Sequence, residues 1–147
     1  MTSKYAIALY ELICLRANRE QSVEVLNLEE FRELIGVPPG TYERGLDFQR
    51  KVVEPALLEV NGLSDMGVQI DLHRRHARAP IESVAISWWR KQGDEFRAAL
   101  QERNRPKVGR MARLRGQVEE VELATRLPSP ADDTELRAKF ASVRAAE

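Results

Sequence analysis

The sequence predicts one α+β, mainly helical domain in which amphipathic helices precede a two-stranded hairpin and further helices follow it. Up to Gly62, apolar residues recur at the three- and four-residue spacing of helices packed on a core. Beyond Gly62 the spacing falls to two, which is the pattern of half-buried strands. With 147 residues, of which 43% are hydrophobic, the chain has the length and the apolar surface for one core.

The N-terminal part of the chain predicts a helix, a short strand and a second helix. Residues 3–16 have helical spacing, with Ser3 as the N-cap. Residues 22–27 alternate valine with polar neighbours and are long enough for one short strand. Asn27, with a glutamate three residues later, is the predicted N-cap of a helix that stops at Gly36, before two prolines.

A third helix is predicted over residues 43–62, after the turn PPGTY. One arc of its helical wheel is apolar and the other is charged, as in a helix that covers a core with one face. Gln49 projects into the apolar arc, so either the first turn is irregular or the helix begins later. Pro55 cannot donate a backbone hydrogen bond, which predicts a kink or a restart of the helix there. The charged arc comprises Arg44, Asp47, Arg50, Lys51 and Glu54.

Two strands are predicted at residues 68–73 and 83–89, joined by a basic loop at 74–80. Trp88 is expected in the core and Trp89 on the opposite face. The order of helix, short strand, helix, turn, helix, strand, basic loop and strand is that of a winged helix-turn-helix. In such a fold a helix offers its polar face to the major groove of DNA, and the hairpin, or wing, lies against the phosphate backbone or minor groove.

Additional C-terminal helices are predicted beyond the hairpin. The sequence divides into a winged-helix domain at 1–91, a basic helical extension at 92–127, and a linker with a terminal helix at 128–147. Whether this last segment is ordered or disordered is left open by the sequence. Pro106 separates two helical stretches of the extension. The stretch 103–116 is basic and contains no acidic residue; a solvated helix that packs one apolar stripe and direct contact with phosphates explain it equally well. The stripe comprises Val108, Met111, Leu114, Val118 and Val121.

Charge is clustered along the chain although the formal net charge is zero. Residues 92–116 contain seven basic and three acidic residues, whereas residues 117–147 contain four basic and seven acidic residues. Affinity for phosphate depends on the local surface rather than on the total charge. The composition therefore leaves a nucleic-acid partner open.

Residues with catalytic or metal-binding chemistry do not form a recognisable constellation. The single cysteine, Cys14, lies in the apolar run LICL and is expected to be a buried small side chain. His73 and His76 do not have the i, i+4 spacing that presents two rings of one helix to a metal. We therefore expect no enzyme activity, no catalytic or metal-binding residue and no cofactor. The N-terminal residues do not have the apolar region and cleavage site typical of a signal peptide, and the longest apolar stretch is too short to cross a membrane. We therefore expect a cytoplasmic location without a membrane partner.

Three stretches together resemble the plasmid replication initiators of the Rep3 type, whose chains consist of two winged-helix domains that bind repeated origin sequences. They are SKYAIALYELI at the start, TYERGLDFQRKVVEPALLEVN in the middle and VQIDLHRRHARAPIESVAISWW after Gly62. The middle stretch is the most specific, because it is similar to the family's recognition helix almost position for position. The resemblance covers residues 3–91 and matches only the C-terminal domain of the two.

The resemblance implies a protein that binds repeated DNA sequences of a plasmid origin in the service of replication initiation. Double-stranded DNA is the implied partner; the host initiator, the replicative helicase and a second copy of the chain are further candidates. The helix residues of the expected site face the groove, where Asp47 accepts from cytosine N4 or orients a neighbouring arginine, and the loop arginines hold phosphates. The expected DNA-binding residues are Thr41, Tyr42, Arg44, Asp47, Arg50, Lys51, Arg74, Arg75 and Arg78.

A second interpretation stays open beside this one. The same fold serves as a protein-interaction or transcription-regulatory module without initiator activity, using its tail helices to contact a partner. The family divides DNA binding and assembly between two domains, and one of them is recognisable in this sequence. We therefore expect the chain to bind an origin without opening it.

Overall fold

The computed structural model describes residues 1–117, in which helices cover one face of a three-stranded sheet. The predicted α+β class is confirmed over these residues. The elements in chain order are α1 (Lys4–Arg16), β1 (Val23–Asn27), α2 (Leu28–Leu34), α3 (Gly45–Phe48), a π-helical segment (Gln49–Val53), α4 (Glu54–Leu63), β2 (Met66–His73), β3 (Ser83–Arg90), α5 (Gly93–Asn104) and α6 (Arg110–Leu114).

Helices α1 and α2 begin where a side chain caps them. The Ser3 hydroxyl accepts a hydrogen bond from the Ala6 N–H at 3.4 Å, and the Asn27 side chain accepts one from the Glu30 N–H at 2.8 Å. Each bond satisfies a backbone donor that a helix N-terminus leaves without an intrahelical partner. Both predicted N-caps are confirmed.

Strands β2 and β3 form a hairpin, and β1 pairs with the other edge of β3. The sheet is antiparallel with the order β1-β3-β2, and its registers pair Ile70 with Ile86 and Val25 with Ala85. Alternate residues of β3 are buried against the helices, and Trp88 is only 3% exposed. The predicted burial of Trp88 is confirmed, and the hairpin presents one of its faces to the core.

Helix α3, the π-helical segment and helix α4 follow one another without a break. We call these residues, 45–63, the long helix. Pro55 has no N–H with which to bond the Lys51 carbonyl. The turn before it widens, so that the Glu54 N–H donates to the Gln49 carbonyl five residues earlier, which is the π-helical pattern. The predicted restart at Pro55 is confirmed. Of the two alternatives drawn from Gln49, the later start is confirmed, because the helix begins at Gly45 rather than at residue 43, while its first turn is regular and the irregular turn is the one before Pro55.

The core lies between the helices and the sheet. Phe31 of α2 and Phe48 of the long helix are each 1% exposed and meet edge to face, with ring centroids 6.2 Å apart. Val52 and Val60 belong to the same buried cluster. Full burial of a side chain of this size contributes about 1.5–3 kcal/mol. These contacts hold α2 and the long helix together as one unit.

Two expectations about exposure are wrong. Cys14 is exposed rather than buried, because the buried stripe of α1 ends at Ile13 and the next residue turns its side chain about 100° away from the core. Val108 is 87% exposed rather than part of a continuous apolar stripe. The helical path stops at Asn104 and resumes only at Arg110, which leaves Val108 outside any helix.

Two helices follow the hairpin within the described residues, one on each side of Pro106. Trp89, on the outer face of the sheet, donates its indole N–H to Glu95 of α5 at 3.2 Å. No helix in residues 1–117 has the length and apolarity to span a membrane. The rest of the predicted extension, to residue 127, and the predicted linker and terminal helix at 128–147 lie outside the described residues.

Candidate nucleic-acid interface

The turn that leads into the long helix is held against the core. Tyr42 is the one residue other than glycine with a positive φ within residues 1–117, at 49°. Its ring meets Tyr5 of α1 edge to face, with centroids 6.4 Å apart. The Thr41 hydroxyl donates to the Pro38 carbonyl at 2.6 Å. Thr41 and Tyr42, both half-buried, therefore have packing roles in the turn.

Arg32 of α2 is hydrogen-bonded to the backbone of this turn. Its Nη1 donates to the Tyr42 carbonyl at 3.0 Å, and its Nη2 donates to the Thr41 carbonyl. The guanidinium carbon lies 5.0 Å from the centroid of the Phe48 ring. The sequence pattern does not distinguish Arg32 from a solvated arginine, because its partners lie nine and ten residues away in the chain.

The predicted charged arc is the outward face of the long helix, which we call the helix face. Lys51 Nζ lies 3.7 Å from Asp47 Oδ1, one turn earlier, and 6.0 Å from the centroid of the Tyr42 ring. Leu46, 55% exposed, is an apolar side chain on an otherwise charged face, and a search for charged residues overlooks it. The helix face comprises Arg44, Leu46, Asp47, Arg50, Lys51 and Glu54.

The three loop arginines predicted to hold phosphates have different surroundings. Arg74 is half-buried, and its Nη1 donates to the Ala79 carbonyl at 3.1 Å, across the loop. Arg75 Nε lies 2.6 Å from Glu82 Oε1, and both side chains are exposed. Arg78 is exposed. Arg74 thus shapes the loop, while Arg75 and Arg78 present their charge to solvent.

A cleft of about 440 Å³ separates the hairpin loop from the start of the long helix. Arg44 of the helix face and two loop arginines, Arg74 and Arg78, line it together, with Leu46 and Ile81 as part of its apolar wall. Arg50, Lys51 and Arg75 are not among its lining residues. The structure therefore brings together three of the predicted DNA-binding arginines from two elements that are about thirty residues apart in sequence.

The basic stretch at 103–116 is in part occupied with internal contacts. Arg110 is 9% exposed, and its Nη2 donates to the carbonyls of Arg103 and Arg105 at 3.2 and 2.9 Å. Arg113 Nη2 lies 2.7 Å from Oε1 of the buried Glu102. Hydrogen bonding from Arg113 holds the pKa of Glu102 below its ordinary value, against the opposing effect of burial. For Arg110 and Arg113, packing explains the basic character better than phosphate contact.

This stretch lies at the far end of the long helix from the cleft. Leu114 of α6 packs over Gly62 so closely that a Cβ atom there would have no room. Gly62 is seventeen residues beyond Gly45, and at about 1.5 Å per residue the two ends of the helix are about 25 Å apart. The basic stretch and the cleft are therefore separate surfaces.

Metal-binding chemistry is not assembled in the described part of the chain. Within residues 1–117, no three His, Cys, Asp or Glu side chains are grouped so that they hold a metal ion. His73 and His76 are both exposed, on either side of the start of the loop. What the described residues do assemble is a positively charged cleft flanked by an exposed helix face.

Comparison with known proteins agrees with this geometry. Residues 27–88 match the family model described as "Initiator Rep protein, WH2". The match includes α2, the long helix and nearly all of the hairpin, and with them every residue of the cleft and the helix face. Among curated proteins, none matches the chain. Residues 27–88 therefore match the C-terminal winged-helix domain of Rep3 initiator proteins.

Proposed function

We propose that the chain binds duplex DNA at repeated origin sequences, through the helix face and the hairpin loop, in the service of replication initiation. The observation that carries the proposal is the cleft that Arg44, the N-cap residue of the long helix, lines together with Arg74 and Arg78 of the loop. Positive charge from two elements converges there on a space that a DNA backbone can occupy. The matched family, described as an initiator Rep protein domain, supports a DNA partner.

In this proposal the helix face enters the major groove, which admits an α-helix. Arg50 and Lys51 donate to guanine O6 and N7, and Asp47 accepts from cytosine N4. Asp47 also orients Lys51, given the 3.7 Å between their charged atoms. The acidic groups on the face favour base reading, because a surface that holds only phosphates gains nothing from carboxylates.

The hairpin acts as the wing and follows the backbone. Arg78 is exposed and free to approach a phosphate, and the exposed ion pair of Arg75 with Glu82 is weak enough for a phosphate to replace Glu82. Arg74 holds the Ala79 carbonyl and offers its remaining donors to the cleft. These contacts position the domain on the duplex without selecting a sequence.

Binding of this kind breaks no covalent bond. We propose a non-enzymatic protein that needs no metal or cofactor and acts in the cytoplasm, where plasmid DNA is replicated. An initiator role has three further candidate partners. They are the host initiator, the replicative helicase and a second copy of the chain.

A protein-interaction module is the second candidate, and one observation favours it. Phe96 and Leu100 of α5 are 41% and 37% exposed and line a cleft of about 460 Å³ with Tyr10 of α1. Exposed apolar side chains grouped in this way suit a protein partner. In that case the tail helices carry the function, and the arginine cleft is only a solvated surface.

Selection from random DNA followed by a salt titration separates the two candidates. The immobilised chain is used to enrich duplexes from a randomised library, and the enriched duplex is compared with a scrambled duplex of the same composition. A DNA-binding domain prefers the enriched duplex, and log K falls linearly with log salt, with a slope of about −0.9 for each phosphate bound. Failure of the library to converge, together with binding that does not depend on salt, would favour the protein-interaction module.

A further inference from the structure

Arg32 is a buried cation whose partners are carbonyl groups and a ring. It is 8% exposed, and within residues 1–117 it has no carboxylate partner. Burial of a charge is unfavourable unless hydrogen bonds replace its hydration. Here the replacement is specific, because the planar guanidinium reaches two successive carbonyls, those of Thr41 and Tyr42.

The backbone that these carbonyls belong to is strained. Tyr42 has φ of 49°, in the left-handed region that side chains bulkier than that of glycine rarely adopt. Such a conformation is unfavourable and persists only where the surroundings hold it. The two hydrogen bonds from Arg32 provide that hold, since they fix the carbonyl on each side of the Tyr42 nitrogen and α-carbon.

The conformation of Tyr42 decides where its ring lies. The ring packs edge to face with Tyr5, and Lys51 Nζ lies 6.0 Å from the ring centroid. Asp47 Oδ1 lies 3.7 Å from the same ammonium group. A lysine is a flexible point charge, so a ring and a carboxylate that both contact it restrict where the charge can go.

We infer that Arg32 is a positioning residue for sequence recognition: by fixing the 41–42 turn it places the Tyr42 ring, which in turn holds Lys51 in the orientation that reads a base. The inference rests on the proposed function, since it assigns Lys51 to a base edge. Arg32 also lines the arginine cleft, together with Arg44, Arg74 and Arg78. Its two terminal nitrogens donate to the Thr41 and Tyr42 carbonyls, so its effect on sequence preference is transmitted through Tyr42 and Lys51. A direct phosphate contact by Arg32 would instead affect binding to every duplex alike.

Arg32→Met and Arg32→Lys test this role. The measured quantity is the preference, the Kd for the scrambled duplex divided by the Kd for the enriched duplex, at a temperature where circular dichroism shows each variant folded. Arg32→Met should lower the preference about tenfold, in the range expected for one base contact. Arg32→Lys, which keeps the charge but reaches one carbonyl, should fall between Arg32→Met and the wild type. Arg16→Met, which removes a partly buried arginine of α1 that pairs with Glu24 of β1, is the matched control and should leave the preference unchanged.

A double-mutant cycle with Lys51→Ala distinguishes positioning from a general loss of stability. If Arg32 acts through Lys51, the double variant should prefer the enriched duplex no less than Lys51→Ala alone. Independent, multiplicative losses would overturn the inference, as would equal weakening of binding to both duplexes by Arg32→Met.

Tyr42→Asn repeats the cycle without disturbing Arg32 and serves if Arg32→Met does not fold. Asparagine tolerates a positive φ but lacks the ring. The same non-additivity with Lys51→Ala supports the inference, and additivity refutes it. A wild-type protein that shows no preference would refute the proposed function itself, whereas a wild type that discriminates beside an unaffected Arg32→Met would refute only the role of Arg32.

Discussion

Gly45 and Arg74 touch where the long helix meets the hairpin loop: a Cβ atom on Gly45 would lie 3.0 Å from Arg74 Nη2 and 3.2 Å from Ile81 Cδ1. These separations are shorter than ordinary van der Waals contact. The loop thus approaches the start of the helix at a position where a larger residue would push it away. A side chain at position 45 would have to displace the ends of the Arg74 and Ile81 side chains.

Gly45→Val should therefore displace Arg74 and loosen the loop. Because the loop is proposed to contact phosphates, we expect Kd to rise about two- to tenfold on the enriched and the scrambled duplex alike. Fluorescence anisotropy with labelled duplexes measures both values. In an Arg74→Ala background the same substitution should have a smaller effect, since only the close approach to Ile81 remains. A loss confined to the enriched duplex would contradict a role in backbone contact.

Arg50→Ala tests base reading by the helix face. Removal of a hydrogen bond to a base edge should cost about 1–3 kcal/mol on the enriched duplex and leave binding to the scrambled duplex almost unchanged. Arg97→Ala on α5, where Arg97 pairs with Asp94, removes the same charge far from the helix face and is the control. Equal losses on both duplexes for Arg50→Ala would instead indicate a phosphate contact and non-specific binding.

Arg75→Ala and Arg78→Ala test the wing. Each should weaken binding to both duplexes by a similar factor, because phosphates are present in every sequence. The slope of log K against log salt should decrease in magnitude by about one unit for each phosphate that the variant no longer binds. Titrations of the two variants and of Arg97→Ala at several salt concentrations measure this slope. An unchanged slope for both loop variants would show that the wing does not hold phosphates.

Leu46 gives a test that changes one methyl group of the DNA. An exposed leucine beside arginines in the groove is suited to contact the C5-methyl group of thymine. Replacement of thymines by deoxyuridine, one at a time, should weaken binding of the wild type about fourfold at one position, which corresponds to about 0.8 kcal/mol for one buried methylene equivalent. Leu46→Ala should lose that sensitivity, while Leu34→Ala, which alters a 40% exposed leucine on α2, should keep it. Undiminished discrimination by Leu46→Ala would exclude this interaction.

Glu102→Gln tests the packing of the basic stretch. The Glu102 carboxylate accepts hydrogen bonds from Arg113 and lies 3.5 Å from Arg105, so the neutral variant should lower the free energy of unfolding at pH 7 by about 1–3 kcal/mol. The pKa of Glu102 is lower in the folded state, chiefly through Arg113. The stabilisation is therefore present above the unfolded-state pKa, and it is lost as the pH falls through the folded-state pKa.

Denaturant unfolding at a series of pH values measures this dependence. The difference between wild type and Glu102→Gln should shrink as the pH falls below about 4. Glu11→Gln, at an exposed position on α1, is the control and should show no comparable destabilisation. A difference that stays constant into strong acid would contradict the ion pair as the source of stability.

The sequence by itself determined the elements of this domain and the outward face of its long helix. Some features depend on atoms no more than about five residues apart, so they can be predicted before any fold is known. These are the caps at Ser3 and Asn27 and the restart at Pro55. The helical period also separates Arg50, on the exposed side, from Val52 in the core. Local geometry is sufficient for each of these predictions.

Only the tertiary structure decided which side chains meet. Arg32 is buried because the 41–42 turn brings two carbonyls to it, and Arg110 is buried because the turn after α5 places it against carbonyls at the C-terminal end of that helix. Arg44 and Arg78 share a cleft because the hairpin packs against Gly45. In the sequence all these arginines have the same polar character. The free energy of burying a charge depends on the acceptors that distant segments supply, and those acceptors are in place only when the elements have packed.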